Sequence, residues 1–208
     1  MMRINILVFF ILGLNFFARA QDSLATIATM QYQSEPLSDG WEEITSIDGN
    51  FRMMMPGQVE LKSDTFLTDI GRLNYHVFYH EHFVKEGSPR EVTEEDPEKT
   101  LLFMLSIYEY PTYTIHSDSL ELLDSYFEAT IEGATQGVNG TLIYVNDIQK
   151  GNYPGKIWRI NYNNGKGVIR TKAFLIKKRL YLLSVVSDKA FSANAANDRF
   201  FDSFEIFN

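Results

Sequence analysis

Residues 151–180 read GNYPGKIWRINYNNGKGVIRTKAFLIKKRL. Strand-like runs over 156–163 and 167–176 flank Asn163-Asn164-Gly165, a tight-turn candidate. Lys177-Lys178 is a second such turn and leads into a run over 180–186. With a further strand at 141–148, the back half of the chain reads as an antiparallel meander. The stretch is also basic throughout. From Lys150 to Arg179 there are nine Lys or Arg and no Asp or Glu, in a chain whose formal net charge is −8.

Upstream, the pattern stays strand-rich. TLLFMLSIYEYP (100–111) is apolar almost throughout, as suits a central strand covered on both faces. Leu73 to Phe83 alternates: Leu73, Tyr75, Val77, Tyr79 and Phe83 share one face, and Asn74, His76, Phe78, His80 and His82 the other. WEEITSIDGNFRMMMP (41–56) reads as two short strands around Asp48-Gly49-Asn50, with Pro56 stopping the second. Two helices interrupt the strands. One runs from Asp118, paired with Glu121 as a capping box, to Gly133. Its apolar stripe is Leu120, Leu123, Phe127 and Ile131, and Glu121, Asp124, Glu128 and Glu132 face out. The other covers 192–204, with Ser192 as cap and Ala193, Ala196 and Phe200 inward, before a short strand at 205–207. One antiparallel sheet carrying a few helices is an α+β arrangement.

The N-terminus has a different character. MMRINILVFFILGLNFFARA (1–20) has Arg3, an apolar run from Ile6 to Leu14 and Ala18-Arg19-Ala20, the three regions of a cleaved secretory signal. Broken by Asn15, the run falls short of the ~20 residues of a spanning helix. With no Cys in the chain, a lipid-modified cysteine, disulfides and thiolate metal sites are all excluded. The expectation is an exported protein, periplasmic or secreted, that is not a lipoprotein and keeps no membrane span once the signal is cleaved. Loss of Arg3 and Arg19 leaves 17 basic against 27 acidic residues, a charge of −10. Residues 21–40 lack periodicity and read as a loose lead-in, and KEGSPREVTEEDPEK (85–99) as an exposed loop. Residues 41–208 then form a single domain.

GNFRMMMPG (49–57), NYPGK (152–156), Arg170 with Lys172, RLY (179–181) and RFFDSF (199–204) occur in this order. In order and spacing they resemble the secreted PsbP-like domains, whose fold is shared with a small eukaryotic nuclear protein that binds the GTPase Ran. The resemblance implies an antiparallel sheet with helices packed on its faces, an α/β/α sandwich. It implies an accessory or binding role and carries no catalytic residue set.

Direct chemical motifs are sparse. His76, His80 and His82 share a strand face, where His80 and His82 could approach one zinc ion. No third or fourth ligand is visible nearby, so these residues read first as the polar positions of a half-buried strand. His116 reads as a loop residue. There is no G-x-S-x-G elbow, and Gly165-Lys166-Gly167 lacks the rest of a phosphate loop. Asn139-Gly140-Thr141 is a glycosylation sequon in form only. An enzymatic role finds no support here, no catalytic residue is assigned and no cofactor is implied.

The basic strip reads first as a solvated hairpin face, compensated by acids on neighbours such as the 118–133 helix. Its second reading is a docking surface made by Lys166, Arg170, Lys172, Lys177, Lys178 and Arg179. The partner would be an acidic envelope protein or another anionic surface, a polysaccharide or phospholipid headgroups. Nucleic acid is excluded as a partner by the export signal, a pI near 5.0 and the lack of a base-stacking module. Three function classes follow: an accessory domain that docks a partner; a small-molecule or lipid-binding domain using a pocket between the sheet and the 118–133 helix; and a metal-dependent enzyme built on the histidine face.

Overall fold

The computed structural model describes residues 29–83 and 100–207. The signal segment 1–20 and the 85–99 loop lie outside the described residues, as do the side chains of His82, Phe83, Thr100 and Leu101. The meander forms as read: β7 (Thr141–Lys150), β8 (Tyr153–Tyr162), β9 (Gly167–Ile176) and β10 (Arg179–Asp188) are antiparallel neighbours. The turn chemistry accounts for the joints. Asn163, Asn164 and Gly165 all have positive φ, which Asn and Gly tolerate best. Lys177 also has positive φ, at 54°. Ser117 holds it there: the Ser117 N–H donates to the Lys177 carbonyl at 2.9 Å, and the Lys177 N–H donates to Ser117 Oγ at 3.2 Å.

Three more strands complete a seven-stranded sheet: β4 (Glu60–Thr68), β5 (Gly71–Phe83) and β6 (Thr100–Glu109). The strand order is β4-β5-β6-β10-β9-β8-β7, so β6 lies inside the sheet, between β5 and β10, and is buried on both faces, as its composition requires. The expectation of one sheet needs correction, because a second, four-stranded sheet is present. It comprises β1 (Gln33–Pro36), β2 (Glu42–Ser46), β3 (Phe51–Met55) and β11 (Glu205–Ile206), in order β1-β2-β3-β11. Alternation reveals each strand's two faces but not its partners. β1 falls inside the segment read as lead-in, and its residues are all exposed, which leaves no apolar periodicity to detect. β4 likewise buries none of its residues and gives little strand signal.

Two helices, α1 (Leu120–Gly137) and α2 (Ala195–Asp202), complete an α+β fold. On one face of the large sheet, Leu123, Phe127, Ile131 and Ala134 of α1 pack on Tyr75, Val77, Leu182 and their neighbours. The other face is closed by the small sheet together with α2, so this outer layer is mixed rather than purely helical. Phe51, Met53, Met55, Phe200 and Phe204 press there on Phe78, Phe103, Leu105 and Leu183. The rings interlock, with Phe51–Phe78 and Phe103–Phe200 centroids both 5.3 Å apart.

The helix ends differ from the sequence reading. Ser119, not Asp118, occupies the N-cap of α1 and makes no side-chain capping bond; the Asp118 N–H instead donates to His116 Nδ1 at 3.2 Å. Leu120 is 73% exposed and outside the stripe. Gly133 is buried mid-helix and does not end it. In the second helix Ser192 closes a short turn, and Asn194 is the cap, its side chain accepting from the Asn197 N–H at 2.8 Å. Ala193 is exposed, and Asn197, Phe200 and Phe201 face inward.

Candidate functional site

The α1 face of the large sheet is incompletely filled. Cross-strand register sets Trp158 of β8 opposite Thr171 of β9, and Thr171 opposite Ser184 of β10. The next row on the same face is Ile160, Ile169 and Val186. Above them, Thr130 and Ala134 of α1 and the following Val138 form a roof. Short side chains at Thr171, Ser184 and Ala134 leave a pocket of about 140 Å³ between roof and floor. Its lining is apolar apart from a few hydroxyls and the Trp158 indole, and none of the lining side chains is charged. A dry cavity of about 150 Å³ is enough to hold benzene.

The polar groups of this lining stand in an unusual state. Thr171 Oγ1 and Ser184 Oγ share one hydrogen bond at 3.0 Å. The Thr130 hydroxyl donates back to the Tyr126 carbonyl at 2.9 Å. Trp158 is 2% exposed, and its Nε1–H has no protein acceptor. A buried donor without a partner is costly and uncommon in native proteins. At the rim, Gly167 lies against the Tyr162 ring so closely that a Cβ there would come within 2.4 Å of Cζ. Burial raises the Tyr162 phenol above its ordinary range, and nearby Asp188 pushes the same way.

The histidines do not converge. His76 is buried, with Nδ1 2.8 Å from Ser63 Oγ. Burial holds its imidazole below the usual value; Glu109 opposes that shift and Arg179 adds to it. His80 Nδ1 is 2.7 Å from the Gln58 carbonyl oxygen, and its ring lies over Gly57. Four positions apart on one strand, the two residues are separated by roughly 13 Å. Among the described residues no group of three or more potential ligands comes together. His82 contributes a backbone position in β5 only.

The basic strip is divided by the fold. Lys156 reaches over the α1 face to Asp124 of α1 at 3.0 Å and Asp147 of β7 at 2.5 Å. Arg170 and Lys172 point to the opposite face, against α2. Arg170 donates to the Ser192 carbonyl at 3.2 Å, with Asp198 at 3.9 Å, and Lys172 pairs with Asp202 at 2.9 Å. Both cations also lie over the Phe201 ring, at 5.3 and 5.4 Å. Arg179 pairs with Glu109. Lys166, Lys177 and Lys178 are exposed, and none has an ion pair among the described residues. Lys166 precedes β9 and Lys177 follows it, so they stand at opposite ends of a strand roughly 30 Å long. The six residues therefore do not gather into one patch.

Trp158, Thr171 and Ser184 escaped the reading by motif. Their signal was present in the two turns: counting back from 163–165 and from 177–178 sets all three in one row.

No protein-family model and no curated protein matches the chain. Among solved structures, it is similar to cyanobacterial PsbP (CyanoP) from Synechocystis sp. PCC 6803, with TM-score 0.47 and 12% identity over 91% of this chain and 99% of that one. It is also similar to PA94 of Pseudomonas aeruginosa, a protein of unknown function, with TM-score 0.38 and 10% identity over 77% and 85%. Among the described residues no helix is long and apolar enough to cross a membrane.

Proposed function

We propose that this chain is an exported, non-catalytic binding domain whose working site is the pocket between α1 and strands β8–β10. The observation that carries the reading is the pocket itself: an apolar space of about 140 Å³ between α1 and the sheet. Apolar concave sites with a few placed polar groups are the usual form of small-molecule sites. Among the described residues the histidines do not converge on a metal site, so binding rather than turnover is the role we favour. Native mass spectrometry of gently purified protein tests it. A small uncharged adduct is expected, and Ala134→Leu, which fills the space from the roof, should abolish it. Absence of any adduct, with a large loss of stability in Ala134→Leu, would contradict the reading.

A second reading keeps the acidic partner, now reduced to the Lys177-Lys178 turn. Exposure of both lysines, with no ion pair among the described residues, favours it. Lys177→Glu with Lys178→Glu should then weaken capture of an acidic envelope protein, and raised salt should do the same to the unaltered protein.

A further inference from the structure

We infer that the pocket takes the end of an alkyl chain, tail first through one mouth beside Tyr162, with the chain's polar head left outside. This rests on the reading of the pocket as a ligand site and adds the ligand's class and orientation. Along β10 the floor runs Leu182, Ser184, Val186 and then Asp188, which stands opposite Gly167 of β9 and, through it, Tyr162 of β8. The Leu182 end is shut. Lys156 lies in the same row and binds Asp124 at 3.0 Å, which ties α1 down on the sheet, and Leu182 and neighbouring Met104 are buried. At the other end the cover thins. α1 stops at Gly137, and Val138, Ile169 and Tyr162 are only partly buried.

The interior selects for hydrocarbon. Thr171 and Ser184 hydrogen-bond to each other, Thr130 to the Tyr126 carbonyl, and the Trp158 Nε1–H is closed off from the space. A polar or charged group entering there sheds its hydration and gains no partner, whereas a methylene leaves water at no such cost. A space of about 140 Å³, near that of a benzene-sized cavity, encloses roughly six carbons. Anything attached to those carbons emerges at the mouth, where the first charges stand. Asp188 is in the Tyr162 row, and exposed Lys166 and Lys189 flank it, the Lys189 N–H donating to the Lys166 carbonyl at 2.7 Å. With both signs present at the rim, the chain rather than the head carries the affinity.

Two experiments on the full protein test this. In the first, n-alkyl glucosides from propyl to octyl are titrated below their micelle concentrations, with benzene as a headless control. Affinity should rise about fourfold per methylene up to about hexyl and then level off, and Ala134→Leu should remove the length dependence. In the second, the hexanoate ester of 4-hydroxy-TEMPO carries a nitroxide too bulky for the space. It should broaden the methyl signals of Val138 and Ile169 strongly and those of Met104 and Leu182 weakly, while 4-hydroxy-TEMPO alone does neither. If benzene binds but the glucosides show no length dependence, the chain end is wrong and the pocket stands. A rise that continues unbroken to octyl means adsorption to the surface and overturns the inference, as does equal broadening at both ends. If neither benzene nor any glucoside binds, the pocket reading itself falls. Should Ala134→Leu fail to fold, the nitroxide gradient in the unaltered protein decides alone.

Discussion

The two faces of the seven-stranded sheet are built from alternate residues of the same strands, yet they close differently. One face meets a second sheet and α2, and Phe51, Phe78, Phe103, Phe174, Phe200 and Phe204 seal it. Among the described residues the other meets a single helix, α1. Seven strands span roughly 29 Å across, whereas one helix is about 10–12 Å wide. α1, with 18 residues, runs about 27 Å but covers only part of that width. The uncovered ground lies at β8–β10, where Thr171 and Ser184 stand in place of larger residues, and at edge strand β7, where Leu142 and Val145 remain 39% and 43% exposed. A pocket on this sheet thus results from too little cover, and the sealed face shows what full cover achieves.

The largest expected effect strikes the sealed face. Phe204 is fully buried, with ring centroids of Phe174 and Tyr181 at 6.1 and 5.5 Å. Phe204→Ala should cost about 3–5 kcal/mol of unfolding free energy, read by urea denaturation. Next come additions of volume, which test the contrast directly. Val185→Phe on the sealed face should cost about 1–3 kcal/mol, whereas Ala134→Leu under the roof should stay within about 0.5 kcal/mol of the parent. Equal costs at both sites would remove the distinction between the faces.

A pH effect of intermediate size also belongs to the sealed side of the sheet. His76 is held below its ordinary pKa of 6.5 by burial, so the folded state binds its proton less readily than the unfolded chain does. Stability from this group is complete above pH 6.5 and is lost as the pH falls through and below that value. Urea midpoints at pH about 7.5 and about 5.5 should therefore differ in that direction, and His76→Asn should flatten the difference. The smallest effects concern the strip. Lys172→Glu places like charge against Asp202 and removes a cation from the Phe201 ring, for a loss of about 1 kcal/mol. Lys177→Glu with Lys178→Glu should leave the melting temperature nearly unchanged, since exposed charges typically contribute within about 0.5 kcal/mol each. A large loss there would tie these lysines into the fold and end the docking reading.

Much of the fold was legible in residue order. Asn163-Asn164-Gly165 and Lys177-Lys178 announced the meander, and the even apolarity of 100–111 announced a central strand. The second sheet was not legible, because β1 is wholly exposed and β11 has only two residues. Helix caps misled for a local reason: Asp118 has the right chemistry but is engaged with His116. The compensation of the basic strip was read in the right direction through Lys156 and Asp124 of α1, while the larger share contributed by Asp198 and Asp202 of α2 depends on packing across the sheet. A pocket between the sheet and the first helix was one of three readings, but its floor became visible only when register joined Trp158 to Thr171 and Ser184.

The most direct test follows a neutral probe on both faces at once. Protein labelled with ¹³C at methyl groups would be titrated with methylenecyclohexane. Saturable shifts are expected at Ala134, Val138, Ile169 and Val186, with Leu105, Leu183 and Val185 on the sealed face unmoved. Shifts absent from the first group, or equal in both, would contradict the claim that one face of the sheet is open to a ligand and the other is not.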